Sequence, residues 1–355
     1  MIQPLSGITV LDLTNLLPGP LATLMLSEAG AQVIKIERPG GDDMRHYAPI
    51  WQGTGAAFGL LNAGKTSLTL DLKTEADAAK LRVLLQTADI LVEQFRPGVM
   101  DKLGFGYEAL RKAYPRLIYC SISGYGQTGP RAQEAGHDLN YIGNAGLLAL
   151  QPGPVESPVV PPALIADIAG GAFPAVINIL LALRERDRTG QGCRLDIAMT
   201  DVAFTFAWHA LAHLWATGAA PGPGQGELAG GSTRYRLYPA KDGIPIACAP
   251  LEDHFWQRFT AILGLETNAD VPAVAAAIAT KTAAEWEPIF AKADCCVTVL
   301  RTLDDALRDP HFSSRGLFER KLRGVEGGAM PALPLPIAPH FRDAPDRDRK
   351  VPPLI

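Results

Sequence analysis

ITVLDLTNLLPGPLATLMLSEAGAQVIKIE, residues 8–37, holds two short apolar runs with one helix-length segment between them. ITVLDL (8–13) is short and apolar throughout, as a strand buried on both faces is. LATLMLSEAG (21–30) reads as a helix, and Gly30 stops it by supplying the left-handed turn that a helix end uses. QVIKIE (32–37) reads as the next strand. Strand, helix and strand in so little chain make a βαβ unit with a right-handed crossover.

The alternation continues on the C-terminal side. SLTLDL (67–72) is a strand, TEADAAKLRVLLQTA (74–88) has helical periodicity, and DILVEQF (89–95) is a strand again. YEALRKAY (107–114) is a short helix before the strand LIYCSIS (117–123). GAFPAVINILLALRERDRTGQG (171–192) reads as a long helix, followed by the strand RLDIAM (194–199). The expected fold class is α/β, a Rossmann-like large domain with a doubly wound, mostly parallel sheet. DVAFTFAWHALAHLWATG (201–218) is apolar nearly all round, so it is expected to be buried or to cover a partner. AAPGPGQGELAGG (219–231) is a linker, and YRLYPAKDGIPIACA (235–249) a hairpin turning at Lys241-Asp242-Gly243. Helical patterns follow to about residue 310, which suggests a smaller α+β domain. The proline-rich tail (331–355) is expected to wrap a domain.

Composition narrows the function classes. The chain has 355 residues, 47% hydrophobic and 20% charged, with a net charge of −4. There is material for a core and for about two domains. A mildly acidic chain is a poor nucleic-acid binder. The five cysteines lack a C-x-x-C pair, so neither a disulfide framework nor a zinc module is expected. The start, MIQPLSGITVLDLT, has no basic region and no apolar core of a signal peptide. No run of about 18 apolar residues suggests a membrane span. A cytoplasmic protein without a resident metal is the expectation.

The turn after the first strand is Asn15-Leu16-Leu17-Pro18-Gly19-Pro20. It lacks the G-x-G-x-x-G cradle, and Pro20 removes a donor that a dinucleotide phosphate would want. Glu37 ends the second strand where a ribose-binding acid would stand, but without the glycines the reading fails. Basic residues recur at strand ends: Lys35, Arg38, Arg45, Lys65 and Arg96. Open α/β sheets bind ligands outside the carboxyl ends of their strands, and a guanidinium fits a phosphate bidentately. Solvated surface charge is the plainer explanation. The loop Ser123-Gly124-Tyr125-Gly126 offers close backbone approach and N–H donors. His137-Asp138 follows it, and Asp167 opens a segment with Gly170-Gly171. Pattern alone leaves Asp167 as a helix cap and His137 as a loop histidine. His209 and His213 are four apart but have no glutamate nearby, so they read as structural.

The ordered blocks go further than the spacing does. LSGITVLDLTNLLPGP (5–20), GAQVIKIERPGGD (30–42), LNAGKTSLTLDLK (61–73) and VEQFRPGVMDKLGFGYE (92–108) lead the set. SISGYGQTGP (121–130), GHDLNYIGNAGLL (136–148), the Asp167-Gly170-Gly171 segment and TGQGCRLDIAM (189–199) complete it. On them the chain resembles the family III CoA-transferase superfamily of CaiB/BaiF type, and within it the α-methylacyl-CoA racemases. The Gly-His-Asp-Leu-Asn-Tyr block is the racemase feature; transferases of the superfamily commonly carry an apolar residue at the position of His137. The resemblance implies that His137 and Asp167 flank the α-carbon of a 2-methylacyl-CoA, with Asp138 beside the histidine. It implies a glutamate assisting His137, matched by Glu252, with Asp253 as its competitor. It implies coenzyme A as part of the substrate, held by Arg38, Lys65, Arg96 and the Gly124-Tyr125-Gly126 loop, and no permanent cofactor. It further implies an interlocked homodimer, with a large domain over 1–199 completed by 330–355, linkers over 200–231 and a small domain over 232–329. In the transferases the aspartate matching Asp167 instead forms an acyl anhydride. Racemase, transferase and a CoA-binding scaffold without catalysis are the three readings to separate.

Overall fold

Thr9–Leu13 (β1), Gln32–Glu37 (β2), Thr66–Thr69 (β3), Ile90–Glu93 (β4), Ile118–Ser123 (β5) and Arg194–Ala198 (β6) form one sheet in a computed structural model. The model describes residues 3–151, 159–342 and 348–355. All neighbouring strands run parallel, in the order β3-β2-β1-β4-β5-β6. β1 has β2 on one side and β4 on the other, so the winding reverses there. A crevice opens beyond the carboxyl ends of β1 and β4, where such sheets bind their ligands. The expected α/β class, with a parallel doubly wound sheet, is observed.

The sheet forms because its central strands are apolar on both faces: Val10, Leu11, Leu91, Val92, Ile118 and Ile122 are buried. Each such side chain contributes about 1.5–3 kcal/mol. Pro18–Glu28 (α1) is buried along its whole length. Glu75–Leu85 (α2) buries only Ala78, Leu81 and Leu85, and its first turn is capped by the Thr74 hydroxyl. The continuous helical stretch Ile165–Thr189 is long and apolar enough to cross a bilayer by length and composition, contrary to the expectation from run length. Its residues Ala172, Ala175, Ile179 and Ala182 are buried, as the core helix of an α/β unit requires.

The chain divides into two compact units. Unit 1 comprises 1–145, 162–203 and 314–355; unit 2 comprises 146–161 and 204–313. The boundaries differ from the expected ones in three places, one being the linker 200–231, which divides after Ala203 with its larger part in unit 2. The return to unit 1 begins at Ser314 rather than at 330, because Leu322 of Lys321–Arg323 packs into a cluster with Phe58, Ala63 and Val351. Of the described residues, 146–151 and 159–161 group with unit 2 rather than with the large domain. In unit 2, Arg236–Pro239 (β7), Pro245–Cys248 (β8) and Val297–Val299 (β9) form an antiparallel sheet. The hairpin turns at Gly243, whose φ of +80° favours glycine. Trp256, Phe259, Trp286 and Phe290 make the core beneath it. The apolar stretch 201–218 is two helices, Val202–Phe206 and Trp208–Thr217, and of its apolar residues only Ala203 and Ala207 are buried on this chain, so the first of the two expected alternatives, burial, is not met here. Phe204, Phe206, Trp208 and Trp215 are exposed on this chain, Trp215 at 78%.

Candidate active site

Two turns wall the crevice in unit 1. Beyond β1 the chain runs Thr14-Asn15-Leu16-Leu17-Pro18, and beyond β4 it runs Gln94-Phe95-Arg96-Pro97. A cavity of about 430 Å³ lies between them and reaches Ser123, Gly124, His137, Tyr141 and Asp167. The two acid/base candidates, thirty residues apart in sequence, therefore line one space.

Asp167 sits in Ile165–Ala172, a π-helical segment that runs straight into Phe173–Thr189. Such turns are rare and recur at functional sites. A Cβ on Gly170 would meet the Met199 carbonyl at 2.3 Å, and one on Gly171 would meet Pro18 Cβ at 2.8 Å. These glycines permit close packing inside the helix. They lie inside a helical stretch that already begins at Ile165, not at a helix start.

His137 is exposed at the N-cap of Asp138–Asn144 (α3), and its N–H donates to Asn140 Oδ1 at 3.0 Å. Asp138 turns the other way and is buried. Its Oδ1 accepts the Asp167 N–H at 3.0 Å, which fixes the segment of one candidate to that of the other. Burial pushes the Asp167 carboxyl up to about 6; the Asp138 charge adds to the rise and His137 opposes it. A carboxyl near neutrality can both take and give a proton at working pH. Asp138→Asn tests this tuning, since the amide still accepts the Asp167 N–H while its charge is gone. Where Asp167 acts as base, the rate falls as pH drops through its pKa. That acidic limb should move from about 6 toward the ordinary carboxylate range in a pH profile of kcat/KM. An unmoved limb removes Asp138 from the tuning.

Gly124 and Gly136 seat the ring of Tyr141. A Cβ on either would approach Tyr141 Cε1 within 2.4 and 2.6 Å respectively. Tyr141 donates to the Gly136 carbonyl and packs edge-on to Tyr125. Of the three loop residues expected at the ligand, only Gly124 lines the cavity. Tyr125 accepts from Asn144 Nδ2 at 2.6 Å, and Gly126 is buried against Ala198 and Asp196.

The five strand-end cations separate into two kinds. Lys65 is fully buried, and its ammonium donates to Asp12, Pro20 O, Thr23 and Asn62 at 2.8–3.0 Å. It has no proton left for a phosphate, which corrects the expectation that it binds coenzyme A. Burial pulls its ammonium down to about 8, against the pull of Asp12. Burial would raise the Asp12 carboxyl, but Lys65 and Lys35 outweigh it and hold it well below the ordinary range. Lys35 is also buried, on Thr14 O at 2.8 Å and Asp42 at 3.1 Å. Arg45 pairs with Glu37 in two bonds, so Glu37 is not a ribose acid. Arg38 and Arg96 are exposed; Arg38 pairs with Asp43, and the Arg96 guanidinium has no hydrogen-bonding partner among the described residues. Arg38 edges a second cleft of about 110 Å³ that shares Asn15, Gln94 and Phe95 with the main cavity.

Glu252 lies in unit 2 at the N-cap of Asp253–Leu263, and its side chain makes no cap bond. Asp253, its competitor, is paired with Arg234 at 2.7 Å. Sequence reasoning passed over Gln94, Asn15 and Tyr141. The first two sit one or two residues beyond the strands that flank the winding reversal, and that position was the available signal.

The model of CoA-transferase family III matches residues 5–355. The alpha-methylacyl-CoA racemase of Homo sapiens is 37% identical, over 88% of this chain and 82% of its own length. The acetyl-CoA:oxalate CoA-transferase of Acetobacter aceti is 35% identical, over 98% of this chain and 94% of its own. A CAIB/BAIF family protein from Brucella suis superposes with a TM-score of 0.83 at 30% identity, covering 100% of this chain and 97% of that one. Both activities stand at similar distance, and an acyl-CoA is the substrate class consistent with both. With a match over nearly its whole length and relatives above 30% identity, the chain belongs to CoA-transferase family III.

Proposed function

We propose that this enzyme inverts the α-carbon of a 2-methylacyl-CoA thioester. The observation that carries the reading is the pairing of His137 and Asp167 on one cavity, with the Asp167 carboxyl held at about 6. One group removes the α-proton, and the C–H electron pair moves into an enolate. The other group returns a proton to the opposite face. Each acid/base group is worth about 10²–10⁴ in rate. An acyl anhydride on Asp167 needs no histidine, so His137 favours the racemase over the transferase.

Arg38 and Arg96 are proposed to hold the coenzyme A phosphates. Their exposed guanidiniums at the crevice support this. Glu252 of the partner subunit is proposed to assist His137 in a homodimer. Its uncapped carboxylate, and the exposed Trp208 and Trp215, support that arrangement. The test uses wild-type enzyme, a single pure 2-methylacyl-CoA enantiomer and deuterated water, with no acceptor acid. Deuterium uptake with loss of optical purity is expected. Robust CoA transfer to an added carboxylate, with no uptake from pH 6 to 9, decides for the transferase.

A further inference from the structure

We infer that Gln94 is a further catalytic residue, whose side-chain amide donates a hydrogen bond to the thioester carbonyl oxygen as negative charge gathers there. The inference rests on the acyl-CoA reading but not on the choice between racemase and transferase. Both reactions load that oxygen, as an enolate in one and as a tetrahedral adduct in the other.

Gln94 follows β4 directly, at the reversal of the winding, and lines both the main cavity and the smaller cleft. An amide can present either its oxygen or its nitrogen to a cavity, and here the choice is made. Oε1 accepts the Gly19 N–H at 3.2 Å. Gly19 stands between Pro18 and Pro20, which have no N–H, so it is the sole backbone donor of those three residues. With Oε1 committed to it, Nε2 is the free end of the amide. Nε2 has no protein acceptor among the described residues, and it is not among their buried unpartnered atoms. It is an accessible donor on a residue that lines the reaction cavity.

The Gly19 N–H is itself held in place. Asp12 accepts the Thr14 N–H at 3.0 Å and the Thr14 hydroxyl, and Lys35 takes the Thr14 carbonyl. A Cβ on Gly19 would lie 2.2 Å from Thr14 Cβ, so the loop closes tightly over Thr14. Lys65 binds Asp12 and the Pro20 carbonyl, joining the strand to the first turn of the helix. A buried ionic cluster thus sets a loop, the loop sets one N–H, and that N–H sets which end of Gln94 meets the substrate. A donor fixed before the reaction needs no reorganisation when charge develops, and this is what makes such donors effective.

The C–H electron pair passes toward the carbonyl, the proton goes to His137 or Asp167, and no group is lost. Nε2–H···O⁻ is a hydrogen bond throughout, with no proton transferred. The site asks for a thioester carbonyl within reach of both Gln94 and Asp167.

Gln94→Glu and Gln94→Leu test the role. The glutamate still accepts the Gly19 N–H but presents a second oxygen in place of the donor. Turnover should fall by about 10²–10³-fold in both variants. Free coenzyme A, titrated by calorimetry, should bind within threefold of wild type. The infrared carbonyl stretch of a bound 2-methylacyl-CoA should lose its red shift in Gln94→Leu. Turnover within threefold of wild type in folded variants overturns the donor role and leaves the function standing. A carbonyl stretch unchanged by Gln94→Leu overturns it as well. A wild type that neither exchanges an α-proton nor transfers CoA overturns the function, and the donor role with it.

Discussion

Asp167→Ala is expected to abolish net racemisation, with a loss of at least about 10³-fold, while one enantiomer still exchanges its α-proton. Inversion needs a proton removed on one face and delivered on the other, so removing either group stops it. Exchange on a single face needs only one group. With Asp167 gone, His137 can still abstract from its own side and return a deuteron there. His137→Ala should give the mirror result, with the other enantiomer exchanging through Asp167. Deuterium incorporation measured separately for each pure enantiomer reads both variants. His137, exposed at a helix cap, and Asp167, half-buried on a different segment, line the same cavity. Under transferase chemistry the pattern is unequal. Asp167→Ala would stop all acyl movement, His137→Ala would do little, and hydroxylamine would trap the acyl group on wild-type Asp167.

Lys65→Met should produce the largest loss of stability. At pH 7 the ammonium is charged, because its pKa of about 8 lies above the solvent pH. Asp12 is ionised, since its carboxyl is held below the ordinary range. Removing Lys65 leaves a buried carboxylate without its nearest counter-ion, and such breaks cost about 3–5 kcal/mol. For a unit of this size each kcal/mol lowers Tm by roughly 2–4 °C, so a drop of roughly 6–20 °C is expected. Asp12→Asn combined with Lys65→Met removes both charges and should recover most of the loss. Thermal unfolding of wild type and the two variants checks it. A double variant as unstable as Lys65→Met alone would show that packing, not charge, is what Lys65 supplies.

The parallel sheet was legible because its strands are buried on both faces and carry unbroken apolar runs, such as Val10-Leu11 and Leu91-Val92. The cavity was half legible. His137 and Asp167 were found through family blocks, since spacing alone assigned them to caps. Lys65 misled because a lysine at the start of a strand looks the same in sequence whether its ammonium faces solvent or a buried aspartate. Asp12, in the middle of β1, was the partner to notice: a charge in a buried strand has to be paired. The roles of Gly170 and Gly171 were hidden for a similar reason. A glycine pair marks close approach, but not whether the approaching group is a ligand or, as here, Met199 and Pro18. Gln94 was passed over because its place directly beyond β4 was its one signal, and an uncharged amide shows its role only once its hydrogen-bond partner is known.

Unit 1 is assembled from three separated stretches, and this orders events on the ribosome. Residues 204–313 emerge before 314–355, which contribute Leu322 and Val351 to the cluster around Phe58 and Ala63. The Gly64 N–H also waits for the Lys350 carbonyl, and the Thr69 N–H for that of Ile355. At about 5–20 residues per second, the nascent sheet spends several seconds with that flank unsealed. For that time an apolar surface stays open beside the still unpaired edge strand Thr66–Thr69.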